Sequence, residues 1–202
     1  MSCITRLIDV VYCICALFVY IIAVDAQSNT VIQNRNNYFI NGGKIMNIIC
    51  FHAPDEEWGY MSNWYHSDFI VDGVEFSSME QYMMYKKAVC FGDNVIASKI
   101  LTTKDVAVIK DYGRKVSGYN DHVWNGMRQI IVYEGLMAKF TQNIALRKAL
   151  KGTGNAILAE AAASDRIWGI GLSIKDPKRF DMKCWNGRNL LGYALMLVRS
   201  RI

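Results

Sequence analysis

Between Asp68 and Ala88 the hydrophobic period changes from two residues to between three and four, and that switch constrains the fold more than any other stretch of the chain. Asp68 to Phe76 (DFIVDGVEF) is two β-rich arms around Asp72-Gly73, a pair that tolerates the positive φ of a tight turn, and it predicts a hairpin. Ser77 followed three residues later by Glu80 reads as a capping box, and Met79, Met83, Met84 and Ala88 supply the apolar stripe of a helix. A hairpin that feeds straight into a helix calls for a mixed fold.

The rest of the chain adds mostly helix. Asn47 to Phe51 (NIICF) reads as a short buried strand, Asn94 to Leu101 as a short helix, and Lys104 to Asp111 as another, stopped by Gly113. Asp121 is the expected N-cap of the longest helix, running to about Phe140 with Val123, Met127, Ile130, Ile131 and Leu136 facing inward. Asn143 to Lys151 is helical up to Gly152 and Gly154, and Asn155 to Ala163 (NAILAEAAA) is expected to follow as a further helix. Asn189 begins and caps a last helix, LLGYALMLVR, apolar on most sides and therefore central. The expected class is α+β: a helix-rich single domain with a few short strands over residues 46–202. A chain of 202 residues suits one domain with a substantial core.

The first 45 residues stand apart. Val10 to Val24 carries no charge but falls short of the roughly 20 apolar residues a membrane span needs. Residues 1–26 therefore read as a signal-like segment, with Val24-Asp25-Ala26 offering small residues to a signal peptidase and Arg6 alone as its basic end. Residues 27–45 are polar and Asn-rich, either a linker or a gene-model extension upstream of a start at Met46. The protein is cytoplasmic if translation starts near Met46 and secreted if residues 1–26 are a true signal peptide. Three of the six cysteines lie in the leader; Cys50, Cys90 and Cys184 are an odd, widely spaced set that suits reduced thiols better than a disulfide framework. The net charge of +5 suits an anionic small molecule and is too small to argue for a duplex nucleic-acid binder.

Much familiar chemistry is missing. The sequence has no C-x-x-C, H-E-x-x-H, Walker loop, G-x-G-x-x-G or G-x-S-x-G, and His52, His66 and His122 are far apart, so no metal site is expected. Five blocks interleave polar and aromatic residues where a plain helix needs none: Met61 to Tyr65 (MSNWY), Ser77 to Lys87 (SSMEQYMMYKK), Ala138 to Asn143 (AKFTQN), Asp165 to Gly171 (DRIWGIG) and Trp185 to Arg199 (WNGRNLLGYALMLVR). In this order and spacing they resemble the YbiA/NADAR family, from about Ile48 to Arg199. The resemblance implies metal-independent N-glycosidase activity with no organic cofactor. Its substrates would be ribosylamino-pyrimidine phosphates of the riboflavin pathway, cleaved to ribose 5-phosphate and a base, or ADP-ribosylated nucleobases in nucleic acid.

The residues fit that chemistry. Breaking a C–N glycosidic bond builds positive charge on the ribose, so one carboxylate stabilises it or activates water while another group protonates the leaving base. Glu80 and Asp165 are the candidate catalytic carboxylates, in either role; their plain structural readings are the capping-box acid and a turn residue. Candidate substrate-binding residues are Asn63 and Trp64, Arg114 as a phosphate ligand after Gly113, Arg166, Trp168 for base stacking between glycines, and Asn189 in a secondary contact. Lys139 and Arg128 are expected on helix surfaces, and Tyr82 and Trp124 in the core. Met61 and Trp64 stand where relatives often carry Phe, and Gln81 stands where His is common. A second hypothesis, a non-catalytic ADP-ribose or nucleotide-binding module, remains beside the hydrolase; oligomeric state is not legible.

Overall fold

The computed structural model describes residues 38–41 and 44–202; the expected signal-like segment lies outside them. Strands β1 (Tyr38–Asn41) and β2 (Lys44–Phe51) pair antiparallel, so ordered backbone reaches into the segment read above as linker or extension. Strand β5 (Ile157–Glu160) pairs parallel with β2, giving the order β1-β2-β5. Strands β3 (His66–Val71) and β4 (Val74–Ser78) form the hairpin predicted around Asp72-Gly73, whose φ values of 53° and 78° are the two positive angles of a tight hairpin turn.

Six α-helices follow the strand order of the sequence: α1 (Met79–Cys90), α2 (Asn94–Leu101), α3 (Val106–Arg114), α4 (Asp121–Gln142), α5 (Ile144–Gly152) and α6 (Leu190–Arg201). Helix α1 is the hub, packed against α2, α3 and α4, while α6 lies between α4 and β5. Its Tyr82 is fully buried and meets Phe69 and Phe76 of the hairpin edge-on, with Leu136, Phe140, Leu191 and Leu195 in the same core. Gly135 is where α4 crosses this ring: a Cβ there would stand 2.5 Å from Tyr82.

Several local expectations shift. The cap of α1 sits one residue later than the sequence signature: Ser78 accepts from the Gln81 amide, and the Gln81 carboxamide oxygen accepts from the Ser77 amide and hydroxyl. Gln81 also donates to the carbonyls of Ile100 and Thr103, tying α1 to the end of α2. Gly113 lies inside α3 and does not stop it; it lets α3 press on Met84, whose sulfur would be 2.0 Å from a Cβ. The N-cap of α4 is Asn120, and Val123 and Met127 in its first turns are exposed. The helix expected over 155–163 is absent; its centre is β5, because β2 offers a parallel ladder in which Ile157, Leu158 and Ala159 are buried. Cys50, Cys90 and Cys184 are free.

Candidate active site

The shift of the α1 cap by one residue decides what Glu80 does. Gln81 takes the capping duty, so the Glu80 carboxylate makes no capping bond and is carried inward on the first turn of α1, 3% exposed. Its own amide donates to the Asn63 carbonyl at 2.8 Å, which locks the Asn63-Trp64 loop onto the helix start. The Trp64 indole N–H faces the carboxylate as a hydrogen-bond donor. Burial nevertheless dominates and pushes the Glu80 carboxyl up to about 7, with Lys110 and Arg114 pulling the other way and Asp165 adding to the rise.

A second carboxylate comes from the end of the parallel sheet. Glu160 is the last residue of β5, and its Oε2 is shielded from solvent with no hydrogen-bond partner. Burial, then the nearby charges of Asp165 and Glu80, push its carboxyl up to about 8. Asn189 fixes this strand end. With φ of 51°, it donates from Nδ2 to the Leu158 carbonyl (2.8 Å) and accepts on Oδ1 from the Glu160 amide (3.1 Å). Its amide is thus spent on β5; it does not cap α6 with its side chain, as the sequence suggested, and its role is to hold Glu160.

Asp165 closes the group, within electrostatic reach of both glutamates. Its Oδ1 accepts from the amides of Ile167 and Trp168, both at 2.8 Å, so it folds its own loop and sets the Trp168 ring. That loop is laced to the entry of α6: the amides of Arg188, Asn189, Leu190 and Leu191 donate to the carbonyls of Arg166, Gly169, Ile167 and Trp168.

Cations and indoles flank the carboxylates on two sides. Lys110 of α3 lies 5.2 Å from the centre of the Trp64 ring, with Arg114 exposed one turn on. In a second such pair, the Arg128 guanidinium stands 6.0 Å from the Trp168 ring, and Arg188 is close enough to oppose its charge. Among the described residues, no three His, Cys, Asp or Glu side chains are grouped as metal ligands.

Of the residues singled out from sequence, Glu80, Asp165, Asn63, Trp64 and Trp168 come together, and Arg114 and Arg166 are exposed near them. Asn63 is 5% exposed, with its Oδ1 buried and unpartnered. Arg128 and Lys139 are not surface residues: they are 4% and 0% exposed. Both fall on the stripe of α4 that carries Trp124, Val132 and Leu136, a signal present in the spacing but overruled by residue type. The Lys139 ammonium donates to the Tyr60 carbonyl at 2.8 Å, below the loop that holds Asn63 and Trp64, and burial pushes it down to about 7. Glu160 and Lys110 were missed; the sequence signal for Glu160 is one acid ending an apolar run.

Comparisons with known proteins place the whole of this domain among known relatives. The model of the NADAR domain matches residues 50–202. An N-glycosidase of Acanthamoeba polyphaga mimivirus is 41% identical over 160 residues, covering 75% of this chain and 94% of that protein. A riboflavin biosynthesis protein of Vibrio vulnificus is 30% identical over 154 residues, 76% of this chain but 38% of that longer protein. The NMR structure of the E. coli protein YbiA matches with a TM-score of 0.64 at 28% identity, over 76% of this chain and 83% of that one.

Proposed function

This chain belongs to the NADAR family and is an N-glycosidase, a hydrolase of N-glycosyl compounds, and on that premise we propose that it cleaves the bond between a base and a phosphorylated ribose, with ribosylamino-pyrimidine phosphates of the riboflavin pathway as its substrates. The observation that carries the reading is the presence of two buried carboxyls, Glu80 and Glu160, each raised toward or above neutrality, with Asp165 raising both and the Glu80 charge adding to the rise of Glu160. Between pH 7 and 8 Glu80 is ionised while Glu160 keeps its proton, because the Glu80 charge opposes ionising Glu160.

That single proton is what the reaction needs. The protonated carboxyl donates to the nitrogen of the departing base, while the ionised one stabilises the positive charge growing at the anomeric carbon and receives a proton from the attacking water. Glu160, with the higher value and an unpartnered Oε2, takes the acid role; Glu80, with the Trp64 N–H before it, takes the ionised role. Asp165 keeps both values high and, through its loop, presents Trp168 to the base. The buried, unpartnered Asn63 Oδ1 accepts from a ribose hydroxyl or base amine. The similarity to the Vibrio riboflavin biosynthesis protein supports this choice of substrate over an ADP-ribosylated nucleobase.

The test is turnover by purified protein of a ribosylamino-pyrimidine phosphate and of an ADP-ribosylated guanine oligonucleotide. Release of ribose 5-phosphate from the first is expected. Release of ADP-ribose alone would redirect the substrate, and no release from either, with ADP-ribose still bound, would replace the hydrolase with a binding module.

A further inference from the structure

Arg128 is an unusual side chain to find in the middle of a helix stripe. It is 4% exposed, its Nε is shut off from solvent with no hydrogen-bond partner, and none of the three ion pairs among the described residues involves it. A buried guanidinium nitrogen without a partner is costly, and a second cation brought up to the group makes matters worse. Yet Arg188 is brought up to it, on backbone pinned to the Arg166 carbonyl at 2.9 Å.

Asp121 and Asp165 favour the Arg128 charge from a distance, but neither forms an ion pair with it. Asp165 spends Oδ1 on the amides of Ile167 and Trp168. Asp121 accepts from the Tyr119 hydroxyl on Oδ1 (2.8 Å) and from the Asn125 amide on Oδ2 (2.9 Å). Trp168 walls the guanidinium on its ring side, 6.0 Å away. Two guanidiniums converge on a place beside Asp165, and Asp165 adjoins the two reacting carboxyls.

We propose that Arg128 and Arg188 form the anion subsite of the enzyme, taking the 5-phosphate of the ribose while the anomeric carbon lies between Glu80 and Glu160. This rests on the function proposed above and narrows it, moving the phosphate away from Arg114, the ligand expected from sequence. Guanidinium forks bind phosphate in two-point fashion, and a desolvated fork binds it more strongly than a surface one. Trp64 and Lys110, together with Trp168, are left for the base.

The experiment is calorimetric titration of ribose 5-phosphate and of unphosphorylated ribose into wild type, Arg188→Ala, Arg128→Lys and Arg114→Ala, with circular dichroism melts to confirm folding. Arg188 is exposed, so its removal leaves the core intact, and Arg128→Lys retains the charge but loses the fork. Ribose 5-phosphate affinity is expected to fall at least tenfold in both, with ribose binding unchanged. Equal affinity in wild type and both variants, a larger loss in Arg114→Ala, or an equal loss for ribose would each overturn the subsite. Binding needs no turnover, so a protein that cleaves no riboside but binds ribose 5-phosphate through Arg188 keeps the subsite and loses the hydrolase.

Discussion

Replacing Glu80 by Gln is expected to raise stability while destroying activity. Burial lifts the Glu80 carboxyl from 4.5 to about 7 in the folded protein, so the fold binds a proton more tightly than the unfolded chain does. Stability from this group is complete below pH 4.5 and is lost as pH rises through 7. Each unit is worth about 1.4 kcal/mol, so the ionised carboxylate costs the native state about 3 kcal/mol at pH 8. Gln keeps the shape and still accepts from the Trp64 indole, but never ionises. Glu80→Gln should match wild type near pH 4.5, exceed it by about 3 kcal/mol at pH 8, and melt there about 6–12 °C higher. Over the same substitution, kcat should fall about 10²–10⁴-fold, the usual loss for a removed acid–base group. Urea unfolding at pH 4.5, 6, 7 and 8, beside a turnover assay on the same samples, reads both effects. Parallel stability curves for the two proteins across that range would refute the buried, proton-binding carboxyl, and full activity in the variant would refute its role.

Other perturbations probe the groups around it. Trp64→Phe removes the donor that favours ionised Glu80, so the limb of the pH–rate profile assigned to Glu80 should move up from about 7 by about half to one unit, and an unmoved limb would count against that contact. Burial holds the Lys139 ammonium down to about 7 from 10.5, so the native state loses stability as pH falls from 10.5 toward 7. Lys139→Met should flatten that slope in urea unfolding while leaving the Tyr60 carbonyl unpaired, at a cost of about 1–3 kcal/mol visible above pH 10; a slope parallel to wild type would contradict it. In Gly192→Ala the new Cβ meets the Leu158 carbonyl at 2.0 Å and the Asn189 amide at 2.6 Å. A loss of about 2–3 kcal/mol is expected, with kcat falling as well because Glu160 shifts, and a thermal melt within 1–2 °C of wild type would show that α6 can move aside freely.

What could be read from the sequence followed local rules. The Asp72-Gly73 hairpin, α1, α2, α5 and α6 were legible because turn chemistry and a sustained period act within a few residues. β5 was not: ILAEAAA favours helix by propensity, and only the distant ladder with β2 makes it a strand. Half the carboxylate pair was hidden with it. Glu80 was found, but for the residues around it rather than its surroundings; its capping alternative falls only when Gln81 is seen to do that work. Arg128 and Lys139 show the opposite error, since the stripe of α4 placed them inward and their charge argued them out.

Glu80, the carboxylate proposed to react, and three of the cations around the site lie at different depths. Glu80 is held by α1 and the core, whereas Arg114, Arg166 and Arg188 are exposed on separate loops and helix ends. On the proposed roles, changes at those outer positions are expected to alter which ribosylated compound is admitted without disturbing proton transfer beneath. Such a molecule could change its diet while keeping its chemistry, and variants selected for a different anionic group on the substrate should gather in the outer layer.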